Sequence, residues 1–395
     1  MNLESYLSKY RSGFSLEQAF YTDFEIFNAE WNSIFKTSWL YAGNVAQIPK
    51  AGDYFLYHLR HESIIVIRGN GDVVHAHYNT CRHRGSAICL TDTGHASRLV
   101  CPYHLWVYDK DGELLNARMM SSDFDKTNYH LHHVHVKQVE GLIFISLAKD
   151  APDFSSIEKS LAPYLKPYHI SKAKVACIKK HTIAANWKLV AENFRECYHC
   201  GGAHPEYCSA VIGANLNEDV VGLTHTKQND WKERGLETRL VEVTDGTTTY
   251  AIRYPLRPGI ESYSVDGKKV SVPMGSHRDY DAGVVGLVNY PNFWLDAVSD
   301  YVWTMRVTPI DASSTEVEFC WLVDENTVEG KDYEVKNLTK FWDVTGQQDA
   351  TLCENNFRGI LSQAYQPGPY APVEDQVVNF IDWCINKLKS GLSRS

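Results

Sequence analysis

A chain of 395 residues with 44% hydrophobic and 22% charged residues has room for two or three domains at about 100 to 200 residues each. Its formal net charge of −9 excludes a nucleic-acid partner held by phosphate neutralisation, because Lys179-Lys180 and Lys268-Lys269 are isolated pairs and form no basic stripe. No apolar run reaches the roughly 18 to 20 residues of a membrane span, and Met1-Asn2-Leu3-Glu4-Ser5 does not open like a secretory leader, so a soluble, cytoplasmic protein without a membrane partner is expected.

In chain order, residues 1–38 read as helical, with Ser15-Leu16-Glu17-Gln18 and Phe24-Glu25-Ile26-Phe27 on amphipathic spacing. From Trp39 the pattern changes to short strands, Tyr54–Leu59, Ser63–Arg68 and Leu142–Leu147. The turn cluster Gly69-Asn70-Gly71-Asp72 predicts a hairpin closure after the second of them. Residues 39–150 are therefore expected to form a small antiparallel β domain, ending in a linker over Asp150–Asp153. Residues 1–38 and 160–395 are expected to form a larger second domain. Its order is a helix-like stretch from Thr182 to Glu192, β-rich segments between Thr238 and Val323, a long helix from Asp332 to about Leu361 and a last helix over Val373–Leu388. The fold class is α+β, with the antiparallel sheet of the larger domain covered by helices on one side.

Two clusters inside the β domain carry the strongest chemical signal. Cys81-x-His83 and Cys101-x-x-His104, seventeen residues apart, offer two thiolates and two imidazoles on paired loops. A structural zinc site would also accept two cysteines and two histidines, but zinc modules usually pair cysteine with cysteine and histidine with histidine. One of each type per loop is the donor set of a [2Fe-2S] centre in which two histidines replace two cysteines on one iron. Such a centre moves electrons singly. Cys81-Arg82-His83-Arg84-Gly85 and Cys101-Pro102-Tyr103-His104 resemble the Rieske motif. Leu105 departs from it, since ring-hydroxylating relatives often carry glycine before the tryptophan, here Trp106.

The second signal is Asn193-Phe194-Arg195-Glu196-Cys197-Tyr198-His199-Cys200-Gly201-Gly202-Ala203-His204. His199 and His204 stand five apart, and Gly201-Gly202 is expected to let the backbone distort so that both imidazoles reach one metal. Asp349, in Gln347-Gln348-Asp349-Ala350-Thr351-Leu352-Cys353-Glu354, is the candidate third ligand, with Asp343 and Glu354 as neighbouring acids. Two histidines and a carboxylate on one face of an Fe(II) leave positions open for O2 and substrate. Cys197 and Cys200 have the spacing of a redox pair, but they flank a ligand histidine inside a different motif and are expected not to act as one. Ten cysteines in this length are too few for a disulfide framework.

With both motifs, almost the whole chain resembles the terminal oxygenase (α-subunit) of the Rieske non-haem iron oxygenases. The run around His199, with Ala203-His204-Pro205-Glu206, is similar to the branch acting on glycine betaine, proline betaine and carnitine. The resemblance implies several expectations. They are a homotrimer, a Rieske [2Fe-2S] cluster with mononuclear Fe(II), and a separate flavin- and ferredoxin-type reductase. Asn193 is then a candidate beside the iron ligands, and Glu196 takes the place of a carboxylate bridging His199 to a cluster histidine, His104. The aromatic stretch containing Tyr290, Phe293, Trp294 and Trp303 is the candidate cradle for a cationic substrate. The expected activity is O2-dependent hydroxylation or N-demethylation of a small quaternary ammonium or N-methylated amino acid. A ring-hydroxylating oxygenase acting on an aromatic acid is the alternative. A pure electron carrier leaves residues 154–395 and the histidine pair unexplained.

Overall fold

Aromatic and β-branched runs alternating with turn residues make four sheets in the computed structural model, which describes residues 3–214, 218–244 and 247–393. A four-stranded antiparallel sheet is ordered Val74–Tyr78, Glu62–Arg68, Asp53–Leu59, Thr93–His95. The hairpin expected at Asn70-Gly71 is present: Arg68 pairs with Val74, and Gly71 takes the left-handed conformation the turn requires, at φ 65°. A small sheet of Leu99–Val100, Val107–Tyr108 and Leu114–Asn116 packs with it around a core of its own that includes Leu56, Ile65, Ile67, Trp106 and Tyr108.

A third sheet, ordered Leu40–Asn44, Leu142–Ser146, His135–Val139, ties this unit to the rest of the chain. Tyr41 and Phe144 present their rings to Phe293 at 4.5 and 5.6 Å, and Asn292 bonds both the backbone N–H and the C=O of Tyr41.

The largest sheet has six antiparallel strands ordered Lys174–Ile183, Ser314–Val323, Val302–Asp311, Phe293–Ala297, Val284–Asn289, Thr249–Tyr254. The strand Lys174–Ile183 was not expected from the sequence. Its lysines are tethered, Lys179 to Asp343 at 2.5 Å and Lys180 near Glu318 at 3.6 Å. Helices cover both faces of this sheet, not one. Helix Ser155–Leu165 packs Ile157, Leu161 and Tyr164 against Val285, Leu287 and Leu295 on one face. The other carries the helices Trp187–Asn193, Val335–Ile360 and Asp375–Leu392.

Helix Val335–Ile360 buries Leu338, Phe341, Trp342, Thr345, Asp349, Cys353, Phe357 and Ile360, a stripe at three- and four-residue spacing. A carboxylate therefore sits where the pattern calls for an apolar side chain. The helix Trp187–Asn193 is anchored through Lys188, fully buried and 2.6 Å from Glu30 of helix Phe24–Ser33, which also accepts from the Trp187 indole at 2.8 Å. Removing one partner of such a buried pair costs about 3 to 5 kcal/mol. The chain leaving this helix is thus held against a fixed support.

Candidate metal centres

The two cluster loops are near copies. In each, the residue four after the cysteine donates its N–H to that cysteine's carbonyl, Gly85 to Cys81 at 3.0 Å and Leu105 to Cys101 at 3.1 Å. Both closing residues are left-handed, φ 80° for Gly85 and 61° for Leu105. The leucine thus takes the same backbone shape as the glycine, at a local cost of about 1 to 2 kcal/mol for a side chain in that region. Cys81 and Cys101 are buried, whereas His83 is exposed at the tip. The Nδ1 atoms of His83 and His104 lie 3.1 Å apart, and the two sulfurs are within hydrogen-bonding reach of each other. Sulfurs inside and imidazoles outside suit a cluster with one cysteine-held and one histidine-held iron. The Tyr108 hydroxyl stands 3.3 Å from Cys81 Sγ, placed to donate to a thiolate, and accepts from the N–H of Arg82 at 3.1 Å. Trp106 stacks under His83 at 4.8 Å and fixes the ring.

The second centre joins two distant segments. His199 Nε2 and His204 Nε2 are 3.0 Å apart, and Asp349 Oδ1 lies 3.3 Å from the first and 2.9 Å from the second. Donors bound side by side to one ion at about 2.1 Å stand about 3.0 Å apart, so these three atoms fit three adjacent positions of an octahedral ion. A facial set of this kind would leave the opposite three positions for O2 and substrate. Burial would raise the Asp349 carboxyl, but hydrogen bonds from His199 and His204 outweigh it and hold the group below its ordinary range, ready to bind a cation.

Each imidazole is oriented through its other nitrogen. His199 Nδ1 meets Glu196 Oε1 at 2.5 Å, and His204 Nδ1 meets Gln348 Oε1 at 2.8 Å, with Gln348 held by Glu206 at 3.0 Å. Glu196 is itself fixed by the N–H groups of Tyr198 and His199. Gln348 was not singled out from the sequence, though its place beside Asp349 on the same helix is the available signal. Gly201 and Gly202 do not provide the expected distortion. They lie in a short helical turn, Cys200–Ala203, and the chain breaks at His204, φ −125°, ψ 71°. Cys197 and Cys200, which have the spacing of a redox pair but are not expected to act as one, are joined as a disulfide across the loop that carries His199.

A cavity of about 400 Å³ opens against His199, Glu196 and Asn193. Glu192 faces it, accepting from the hydroxyls of Tyr21 at 3.2 Å and Tyr370 at 3.1 Å, and burial pushes its carboxyl up to about 7.

The four rings expected to cradle a cationic substrate do not converge on one cavity. Tyr290 and Trp294 enclose an internal cation instead, the Arg195 guanidinium, at 4.7 and 4.2 Å, with Phe380 at 4.0 Å completing the box. Phe293 points to the opposite face of the sheet because adjacent strand residues alternate, and it packs against Tyr41. Trp303 lies flat on Trp342 at 3.9 Å. The aromatic density is legible in the sequence, whereas the placing of Arg195 in the box beside Glu196 is seen only in the fold.

A β domain with paired Cys-His loops and a helix-and-sheet domain with a three-donor facial site define a two-centre iron oxygenase. Comparison with known proteins agrees. Residues 38–138 match the Rieske [2Fe-2S] domain, and residues 164–390 match the catalytic domain of the ring hydroxylating alpha subunit. The glycine betaine monooxygenase oxygenase subunit of Pseudomonas aeruginosa is 38% identical over 392 residues, 96% of this chain and 90% of that protein. The carnitine monooxygenase oxygenase subunit of Escherichia coli is 27% identical over 92% of this chain and 88% of that one. A solved quaternary ammonium Rieske monooxygenase shares the fold at a TM-score of 0.76 and 22% identity, covering 98% of both chains.

The chain belongs to the Rieske non-haem iron oxygenases, as an oxygenase α-subunit carrying a [2Fe-2S] cluster and a mononuclear iron. Members of this family draw electrons from a separate reductase and use O2 with small substrates. No helix among the described residues is long and apolar enough to cross a membrane.

Proposed function

We propose that this oxygenase N-demethylates a small quaternary ammonium compound of the glycine betaine type. Cys81, His83, Cys101 and His104 hold the cluster, and His199, His204 and Asp349 hold the mononuclear iron. The iron, when bound, supplies the O2 chemistry, and the cluster supplies electrons one at a time. The chemistry balances with two electrons and two protons: O2 inserts one oxygen atom into an N-methyl C–H bond, the other leaves as water, and the carbinol collapses to tertiary amine, formaldehyde and a proton.

The observation that carries this reading is the full-length similarity to a glycine betaine monooxygenase oxygenase subunit, together with the facial donor set. Glu196 holds His199 in one orientation and, in the reading adopted here, passes electrons from the cluster of a neighbouring subunit in a homotrimer. Within one chain His104 partners His83 and Tyr103, while Glu196 partners Tyr198 and His199, so a link between Glu196 and a His104 is one to be made between subunits. Asn193 lines the cavity on the same side of the iron site. The reductase is proposed to be of the flavin and ferredoxin type.

The test is O2 uptake with such a reductase across trimethylglycine, carnitine, N-methylated amino acids and benzoate. Uptake matched by formaldehyde with trimethylglycine or its relatives supports the reading. Vigorous hydroxylation of benzoate with none of the betaines replaces it by ring hydroxylation of an aromatic acid.

A further inference from the structure

The six-stranded sheet carries an acid that none of the chemistry above uses. In register across it run Ile252, Gly286, Asp296 and Trp303, each directly opposite the next and so on the same face. Residues of the alternate set, Ala251, Val285, Leu287, Leu295 and Ala297, are fully buried in the opposite core. Along this face Ile252, Tyr254, Gly286, Val288 and Asp296 all keep partial accessibility. This partial accessibility points to unfilled space beside the face. Gly286 helps to make it: a Cβ there would stand 3.5 Å from both Asp296 Oδ1 and the Tyr254 ring.

Rings roof this space and lead to the iron ligands. Tyr207 is 6.0 Å from the His204 ring and stacks on Phe341 at 5.8 Å. Tyr263 stacks on Phe341 at 5.4 Å and shares a 3.1 Å hydroxyl contact with Tyr254. Trp342 closes the side nearest Trp303. Asp296 takes a hydrogen bond from Tyr254, and no lysine, arginine or histidine pairs with it among the described residues. A carboxylate without a cation in such an enclosed space is either neutralised or paired by a charge that arrives with a ligand.

Resting on the function proposed above, we propose that Asp296 is the counter-charge for the substrate's quaternary ammonium, held beside the partly accessible rings of Tyr207 and Tyr254. A quaternary nitrogen has no N–H to donate, so charge and ring faces are the recognition available to it. The same carboxylate would repel a benzoate-like anion, which makes it a specificity element as well as a binding one.

Asp296→Asn tests this in the iron-loaded enzyme, with binding measured for trimethylglycine and for 3,3-dimethylbutanoate, which has carbon in place of the charged nitrogen. The variant is expected to keep its iron and Rieske absorption. It should bind trimethylglycine roughly 30-fold more weakly or worse, the lower end of the range for truncating one partner of a buried charge pair, and the carbon isostere no worse. Unchanged trimethylglycine affinity, or equal losses for both ligands, overturns the assignment. Gly286→Leu fills the space beside Asp296 while leaving the carboxylate in place, and should abolish binding of both ligands at unchanged iron content; normal binding in that variant also overturns it. If wild type demethylates trimethylglycine and Asp296→Asn does so equally well, only the Asp296 assignment falls. If wild type takes no quaternary ammonium at all, the function proposed above falls with it.

Discussion

Glu196 Oε1 lies 2.5 Å from His199 Nδ1 while its second oxygen receives two backbone N–H groups, so the carboxylate is locked facing the His199 imidazole. Glu196→Ala removes that link without removing a donor atom from either centre. It is expected to retain the cluster and the mononuclear iron and to be reduced by the reductase at the normal rate, with product formation down by roughly 100-fold or more. Stopped-flow cluster reduction and product yield on one sample check this, and normal turnover would contradict the bridging role.

Asp349 is proposed as the single carboxylate of the facial site, 3.3 Å from His199 Nε2 and 2.9 Å from His204 Nε2. Asp349→Ala is expected to lose the mononuclear iron and all turnover while keeping the Rieske absorption and EPR signals. Iron analysis alongside EPR decides it. Full iron with residual turnover would move the third ligand elsewhere.

The left-handed backbone at Gly85 and Leu105 makes a paired prediction about stability. A Cβ at Gly85 meets nothing within 4 Å, so Gly85→Ala is expected to cost about 1 kcal/mol through backbone conformation alone. Leu105→Gly relieves the same penalty but loosens the unfolded chain, and should be neutral to stabilising by up to about 1 kcal/mol. Thermal melts followed at the cluster absorption measure both, and destabilisation by Leu105→Gly would show that the exposed leucine side chain makes contacts worth more than the backbone cost.

Burial pushes the Asp296 carboxyl up to about 7, with a hydrogen bond from Tyr254 working against the rise. The groups facing it are the phenols of Tyr207, Tyr254, Tyr263 and Tyr301, all raised above the ordinary range by burial and hence neutral, with Asp349 beyond Tyr207. A cation binds the ionised form, so affinity for trimethylglycine should be level above pH 7 and fall by about tenfold per pH unit below it. The profile should be flat in Asp296→Asn. A wild-type profile that is itself flat from pH 6 to pH 8 would contradict the ionisation expected here.

The proposed donors of both centres were legible because they lie in short sequence motifs whose chemistry constrains spacing: Cys81-x-His83, Cys101-x-x-His104, and His199 with His204. Asp349 was legible as an acid in a helical stretch, and the helix Val335–Ile360 then placed it on the buried stripe. What escaped depends on register and on side chains from separate elements. Whether Trp294 and Phe293 share a face is fixed by the strand pleat, and whether Trp294 is free for a ligand is fixed by Arg195 from another segment. Asp296 is one acid among many in the sequence. Its isolation appears only when Gly286 and Trp303 are found on either side of it. The strand Lys174–Ile183 escaped because its half-buried lysines read as a solvated face until Asp343 and Glu318 are seen beside them.

The most direct test of the whole account is a single turnover. Enzyme with reduced cluster and Fe(II), freed of excess reductant, is mixed with O2 and methyl-labelled trimethylglycine, and dimethylglycine and labelled formaldehyde are counted. The account predicts both products in equal amounts, approaching one per active site, and none in Asp349→Ala. No demethylation of trimethylglycine or any other quaternary ammonium, with hydroxylated benzoate formed under the same conditions, would contradict it.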